Sequence, residues 1–157
     1  TPIAHPSRFV ADWTFGIQEE GLQTHVDAVR AKGANVVVLL SHNGMDVDLK
    51  LASRVRGIDA ILGGHTHDAV PAPIRVRNPG GTTLVTNAGA NGKFLGVLDV
   101  DVNTGRVQDV RYRLLPVFAN LLAPDRDMTA LIERVRAPYA ERLTEKLAVT
   151  EGLLYRR

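Results

Sequence analysis

NVVVLLSHNG (residues 35–44) and IDAILGGHTHD (residues 58–68) are the two stretches that decide the fold. In each, a short apolar run stops at a glycine-containing turn that carries histidine. A continuous run such as NVVVLL is the pattern of a strand covered on both faces. Upstream, residues 18–32 place Leu22, Val26 and Val29 at i, i+4 and i+7, one apolar stripe of a helix. Lys32-Gly33 stops it, with a cation in the last turn and glycine just beyond. Between the two runs, residues 48–55 predict a short helix with Leu49, Ala52 and Val55 inward, ended at Gly57. Helix–strand–helix–strand at this spacing predicts α/β layering with two neighbouring buried strands. Further upstream, RFVADWTF (residues 8–15) is expected to be extended, with Phe9, Trp13 and Phe15 as packing anchors.

Beyond residue 73 the pattern changes. Residues 74–76, 83–86, 94–102 and 107–115 read as strands. In LGVLDVDV, Leu95, Val97, Asp99 and Asp101 share one face, and Gly96, Leu98, Val100 and Val102 the other. Asn103-Thr104-Gly105 between the last two runs predicts a hairpin. Pro124-Asp125 opens a final amphipathic helix over residues 127–147. Met128, Leu131, Ile132 and Val135 form its stripe, expected to pack on the layered domain. Pro138 is expected to kink it or to start a second helix.

The composition excludes several classes. The 157 residues include 45% hydrophobic and 23% charged side chains, an ordinary globular balance. The run at residues 36–40 is too short to cross a bilayer. Residues 1–105 carry 9 basic and 10 acidic groups and residues 106–157 carry 10 and 7, so no basic stripe suggests nucleic acid. The absence of cysteine rules out disulfides, zinc ribbons, iron–sulfur clusters and thiol catalysis.

Of five histidines, His5 and His25 read as surface residues, His25 on a helix face outside any crevice. His42 follows directly on the first strand, and His65 and His67 on the second. Ligands in open α/β sheets gather beyond the carboxyl ends of strands, so three imidazoles from adjacent strand ends point to one site. Imidazole is the commonest protein ligand for transition metals. His-x-His in an extended loop would project both rings to one side. Gly63-Gly64 would permit unusual torsions and close approach of the chain.

LLSHNG (residues 39–44) and GGHTHD (residues 63–68), followed by NAGANGKFLGVLDVDV (residues 87–102), resemble the metal motifs of the calcineurin-like metallophosphoesterases. The subgroup is that of the bacterial 5′-nucleotidases. FVADWTFGIQEE, SHNGMDVDLKLA, GGHTHDAVP, NAGANGKFL and TEGLLYRR together resemble the thiosulfohydrolase (SoxB) family of the bacterial Sox sulfur-oxidising system. The resemblance implies an α/β fold, the C-terminal half of a four-layer αββα sandwich. Residues 1–123 would form part of the metallophosphoesterase domain, 124–149 a linker helix and 150–157 the start of a truncated C-terminal domain.

The same resemblance implies two divalent metal ions, manganese with zinc as the alternative. His42 and His65 would share one ion and His67 would bind the other, with Asn43 and Asp68 supporting the ligands from behind. The family's Asp-x-His, Gly-Asp and Gly-Asn-His motifs do not occur in this sequence. The remaining ligands and the general-acid histidine are therefore expected outside it, and this chain alone is expected to be inactive. The implied activity is release of sulfate from a cysteine-bound thiosulfonate on the carrier protein SoxYZ, by a periplasmic monomer. One alternative is a 5′-nucleotidase or cyclic-nucleotide phosphodiesterase. The other is a non-catalytic metal-binding or interaction module, against which stand 5% aromatic content and no obvious exposed apolar face.

Overall fold

The computed structural model describes residues 5–153. Two compact units divide the chain, Thr1–Val117 and Phe118–Arg157. The first begins with helix α1 (Glu19–Ala31), whose end follows from its sequence. Gly33 sits at φ 92°. Its N–H donates to the Arg30 carbonyl (2.9 Å) and the Ala34 N–H to the Val29 carbonyl (3.1 Å). These are the paired bonds of a Schellman cap. Of the predicted stripe, Val26 is buried, Leu22 half-buried and Val29 exposed.

Strand β1 (Val38–Leu40), helix α2 (Met45–Arg54) and strand β2 (Ala60–Gly63) come next, then strands β3 (Ile74–Asn78) and β4 (Gly81–Asn87). The sheet order is β1-β2-β4-β3. β1 pairs parallel with β2 (Leu39↔Ile61), and β2 pairs parallel with β4 (Gly63↔Asn87). β3 and β4 form an antiparallel hairpin. Because β1, β2 and β4 run the same way, the turns that leave them lie on one edge of the sheet. The predicted neighbours are therefore neighbours, and their histidine turns leave side by side.

α2 buries Met45, Asp48, Leu51 and Ala52. With Val26, Val55, Ile58, Ile61 and Val85, the apolar members of that face form one core cluster. The helix starts three residues before the expected position, because Gly44 at φ 96° turns the chain straight into it. Leu49, expected inward, is only half-buried. Arg30 latches α1 to the sheet: its guanidinium donates to the carbonyls of Ala34, Asn35 and Gly57 and pairs with Asp59. Asp59 in turn accepts the Val37 N–H at 2.7 Å.

Three expectations are corrected here. β1 is not covered on both faces: it is a three-residue edge strand, and Leu40 is 79% exposed. A continuous apolar run signals cover on both faces, and the described residues supply only one. Residues 8–15 are not extended. Ser7–Phe9 is a 3₁₀ turn followed by a bend and a turn, no strand forms through residue 15, and Phe9, Trp13 and Phe15 are exposed. The first unit also exposes Val38, Ile74, Leu95, Val102 and Leu115, so its surface is more apolar than expected.

Strands β5 (Phe94–Asn103) and β6 (Arg106–Pro116) make a separate antiparallel ribbon. Thr104 (φ 50°) and Gly105 (φ 74°) form its two-residue turn. Positive φ at both central residues is the type I′ geometry, which matches the twist of the flanking strands.

The second unit contains helix α3 (Arg126–Arg136), a 3₁₀ turn (Ala137–Tyr139) and helix α4 (Ala140–Thr144). Asp125 caps α3, its Oδ1 accepting the Met128 N–H at 2.8 Å. Pro138 interrupts the helix, and helical structure ends at Thr144 rather than at residue 147. Met128, Leu131, Ile132 and Val135, the predicted stripe, all lie on α3. Residues 154–157, part of the expected start of a further domain, lie outside the described residues. No helix among the described residues is long and apolar enough to cross a membrane.

Candidate metal centre

The first histidine turn grows out of β1. Ser41 N–H still bonds the Leu62 carbonyl (3.0 Å), extending the ladder by one residue. The chain then leaves the sheet at His42, which is exposed. Ser41 Oγ donates to Asp48 Oδ1 at 2.5 Å. It accepts from the Asn43 N–H (3.3 Å) and from Asn43 Nδ2 (3.0 Å). Asn43 therefore braces its own turn.

The second turn follows β2, and its glycines are there for space. Neither Gly63 nor Gly64 has a positive φ. A Cβ on Gly63 would lie 2.7 Å from Asp48 Oδ2, and one on Gly64 would lie 3.1 Å from His42 Nδ1. The expected unusual torsions fall instead on the histidines, His65 at φ 72° and His67 at φ 59°. Thr66 N–H donates to the Gly64 carbonyl (2.9 Å), closing a three-residue turn centred on His65. That γ-turn form is rare and strained. Residues 65–67 are thus not the extended loop that His-x-His suggested. Non-glycine residues at positive φ store about 1–3 kcal/mol each and cluster at functional sites.

The two turns bring His42 and His65 together, with ring centroids 5.2 Å apart, edge to face at 68°. His67 is exposed, and no group of three or more His, Asp or Glu side chains among the described residues is placed to hold a metal ion. The expected convergence of three histidines is therefore seen as one pair. Asp68 accepts from Thr66 Oγ1 (2.5 Å), and Thr66 Oγ1 accepts the Met45 N–H (3.3 Å). Thr66 thereby supplies α2 with the side-chain cap that Gly44 cannot. His25 lines a cavity of about 360 Å³ together with Gln18, Leu22, Leu39, His42 and Asn43. It belongs beside the first histidine turn, not away from it.

The donor chemistry fits part of a metal centre. Two imidazoles, solvent-open and in ring contact at adjacent strand ends, suit a borderline transition metal. The described residues do not complete its coordination shell. The reading from sequence missed Asp48, Thr66 and Asn87, whose Nδ2 reaches the Gly64 carbonyl at 3.4 Å. Asp48 had a signal: it stands at i+3 from Met45 and i−4 from Ala52, a carboxylate on an apolar stripe.

No protein-family profile matches the chain. Among solved structures, a sulfate thiohydrolase SoxB of Thermus thermophilus matches 99% of it at 45% identity and TM-score 0.86, the chain covering 28% of that protein. A 5′-nucleotidase precursor, also from Thermus thermophilus, matches 83% at 30% identity and TM-score 0.74, the chain covering 29% of that protein. The trifunctional nucleotide phosphoesterase protein YfkN of Bacillus subtilis is 42% identical over 82 residues, 52% of this chain and 6% of that protein. The chain thus spans less than a third of each of these proteins. Fold, histidine turns and these matches agree: the chain is a SoxB-like member of the 5′-nucleotidase/metallophosphoesterase superfamily, a family of hydrolases.

Proposed function

We propose that the protein carrying this chain is a dinuclear-metal hydrolase that releases sulfate from a cysteine-bound thiosulfonate on the carrier protein SoxYZ, in the periplasm. The observation that carries this reading is the 45% identity to a sulfate thiohydrolase SoxB over 99% of the chain. His42 and His65 would hold one divalent ion, and His67 a second. Imidazole donors bind zinc more tightly than manganese, and histidines alone do not select the ion; manganese, from the family resemblance, is the proposed occupant and zinc the alternative. When bound, such a pair of ions activates water and clamps the oxygens of a tetrahedral oxyanion.

The chain's own residues present and orient the imidazoles. The strained turn at residues 64–66 holds His65 toward His42, and Gly64 leaves room for the His42 ring. Asn43 locks the first turn through Ser41. Asp68 and Thr66 pin the second turn to the start of α2. In the reaction, a water oxygen bonds to the terminal sulfonate sulfur and the adjoining S–S bond breaks. The electron pair stays on the carrier-side sulfur, which remains attached as a sulfane. Sulfate and the protons of water are released. A sulfur anion leaves readily, so the step does not demand a strong general acid.

Nucleotide monoester or cyclic diester hydrolysis is the second reading, favoured by the identity to a nucleotide phosphoesterase. The deciding experiment incubates full-length, Mn²⁺-loaded protein with thiosulfonate-carrying SoxYZ and, separately, with AMP. Sulfate release is expected. Phosphate release alone would make the protein a nucleotidase, and neither product would favour a non-catalytic module.

A further inference from the structure

The proposed chemistry leaves one buried ionisable group unused. Asp48 is fully buried in the first turns of α2, and its Oδ2 has no hydrogen-bond partner. The side chains around it on the same helix face are Met45, Leu51 and Ala52. An apolar residue would fill this position at no desolvation cost, whereas a carboxylate here is unfavourable unless it is held. What holds it comes from one histidine turn, and what it presses on belongs to the other. Oδ1 accepts from Ser41 Oγ at 2.5 Å and lies 3.5 Å from Asn43 Nδ2, the residues on either side of His42. Oδ2 lies 2.7 Å from the point where a Cβ on Gly63 would stand. Gly64, next in the chain, lies under the His42 imidazole, 3.1 Å from Nδ1 to its ideal Cβ point.

We propose that Asp48 is a positioning residue, a wedge between the Ser41-His42-Asn43 and Gly63-Gly64-His65 turns that sets His42 against His65. Its role is steric and as a hydrogen-bond acceptor, so an amide of the same shape replaces it and a methyl group does not. The wedge itself is a statement about the metal-free chain. Its consequence for metal affinity rests on the reading of His42 and His65 as ligands of one ion.

The test uses the full-length protein with ¹³C-labelled histidine, metal-free. The readout is the nuclear Overhauser effect between the ring protons of His42 and His65. It is expected in the wild type and in Asp48→Asn, and lost in Asp48→Ala. Ser41→Ala removes the hydroxyl that Asp48 grips at less risk to folding, and loses the same signal. Mn²⁺ titration of the same proteins is expected to give affinities about 10- to 100-fold weaker for Asp48→Ala and Ser41→Ala, the range for residues that orient metal ligands. Asp48→Asn stays near the wild type. Retention of the ring–ring signal in a folded Asp48→Ala or in Ser41→Ala overturns the proposal, as does an Asp48→Asn protein that behaves like Asp48→Ala. A wild type with the ring–ring signal but no Mn²⁺ binding overturns the metal reading and leaves the wedge standing.

Discussion

At Gly64 the absence of one carbon atom makes room for the site. A methyl group there would meet His42 Nδ1 at 3.1 Å and the Ser41 carbonyl at 3.3 Å, with no torsional penalty added. Gly64→Ala is therefore expected to displace the His42 ring and weaken Mn²⁺ binding while the melt moves little; calorimetric titration and a thermal scan check this. His65 makes the opposite case, since its φ of 72° stores strain that glycine would release. Releasing about 1–3 kcal/mol of strain against about 0.5–1 kcal/mol of added chain entropy, His65→Gly should be more stable than the wild type in the metal-free form by about 1 kcal/mol. His65→Ala keeps the strain and gains nothing. Both should lose sulfate release, because an imidazole donor is gone. Equal melts for the Gly and Ala variants, or normal turnover in either, would contradict this account.

Helix α2 is the element on which both histidine turns depend. It starts directly after His42-Asn43-Gly44, is capped by Thr66 from the other turn, and presses its buried face on the sheet. Leu51, 2% exposed, sits in that face. Leu51→Ala should cost about 2–5 kcal/mol by leaving a cavity, measured by denaturant unfolding, and should loosen the His42 turn as well. The β5–β6 ribbon is an element with slack to recover. Thr104 holds φ 50° in the type I′ turn, where a β-branched residue is disfavoured. Thr104→Asn should raise stability by roughly 0.5–1 kcal/mol, because asparagine tolerates that region. A lower melting temperature would mean the turn is not type I′ in solution.

For the whole chain, the ligand count limits what it can do alone. Two imidazoles in contact and a third exposed histidine provide no carboxylate to offset the charge of a divalent ion. Expressed by itself, the chain should bind Mn²⁺ weakly and hydrolyse neither thiosulfonate nor nucleotide. Tight binding of two equivalents, seen by calorimetry, would refute this. Residues 145–150 follow the last helix without regular structure and are exposed. Limited proteolysis should cut there before it cuts β2 or β4, which are buried.

Local pattern was enough for much of the fold. The helix end at Lys32-Gly33, the NVVVLL and IDAIL strands, the turn at Thr104-Gly105 and the break at Pro138 each depend on a few neighbouring residues, and each is legible in them. That β1 and β2 are neighbours followed from the helix between two apolar runs, and the candidate histidines from their place just beyond those runs. What the linear pattern could not reveal were relations between segments distant in sequence. That β1 is an edge strand depends on which strands lie beside it. Gly63 and Gly64 suggest both unusual torsions and close approach in sequence; only tertiary packing shows that close approach is their use, and that Asp48 and His42 are what comes near. Asp48 stands on an apolar stripe in the sequence, but only the docking of α2 shows that it is buried and which two turns it lies between. The strain at His65 has the same origin: local preference opposes φ 72°, and the surrounding packing and hydrogen bonds must offset its cost.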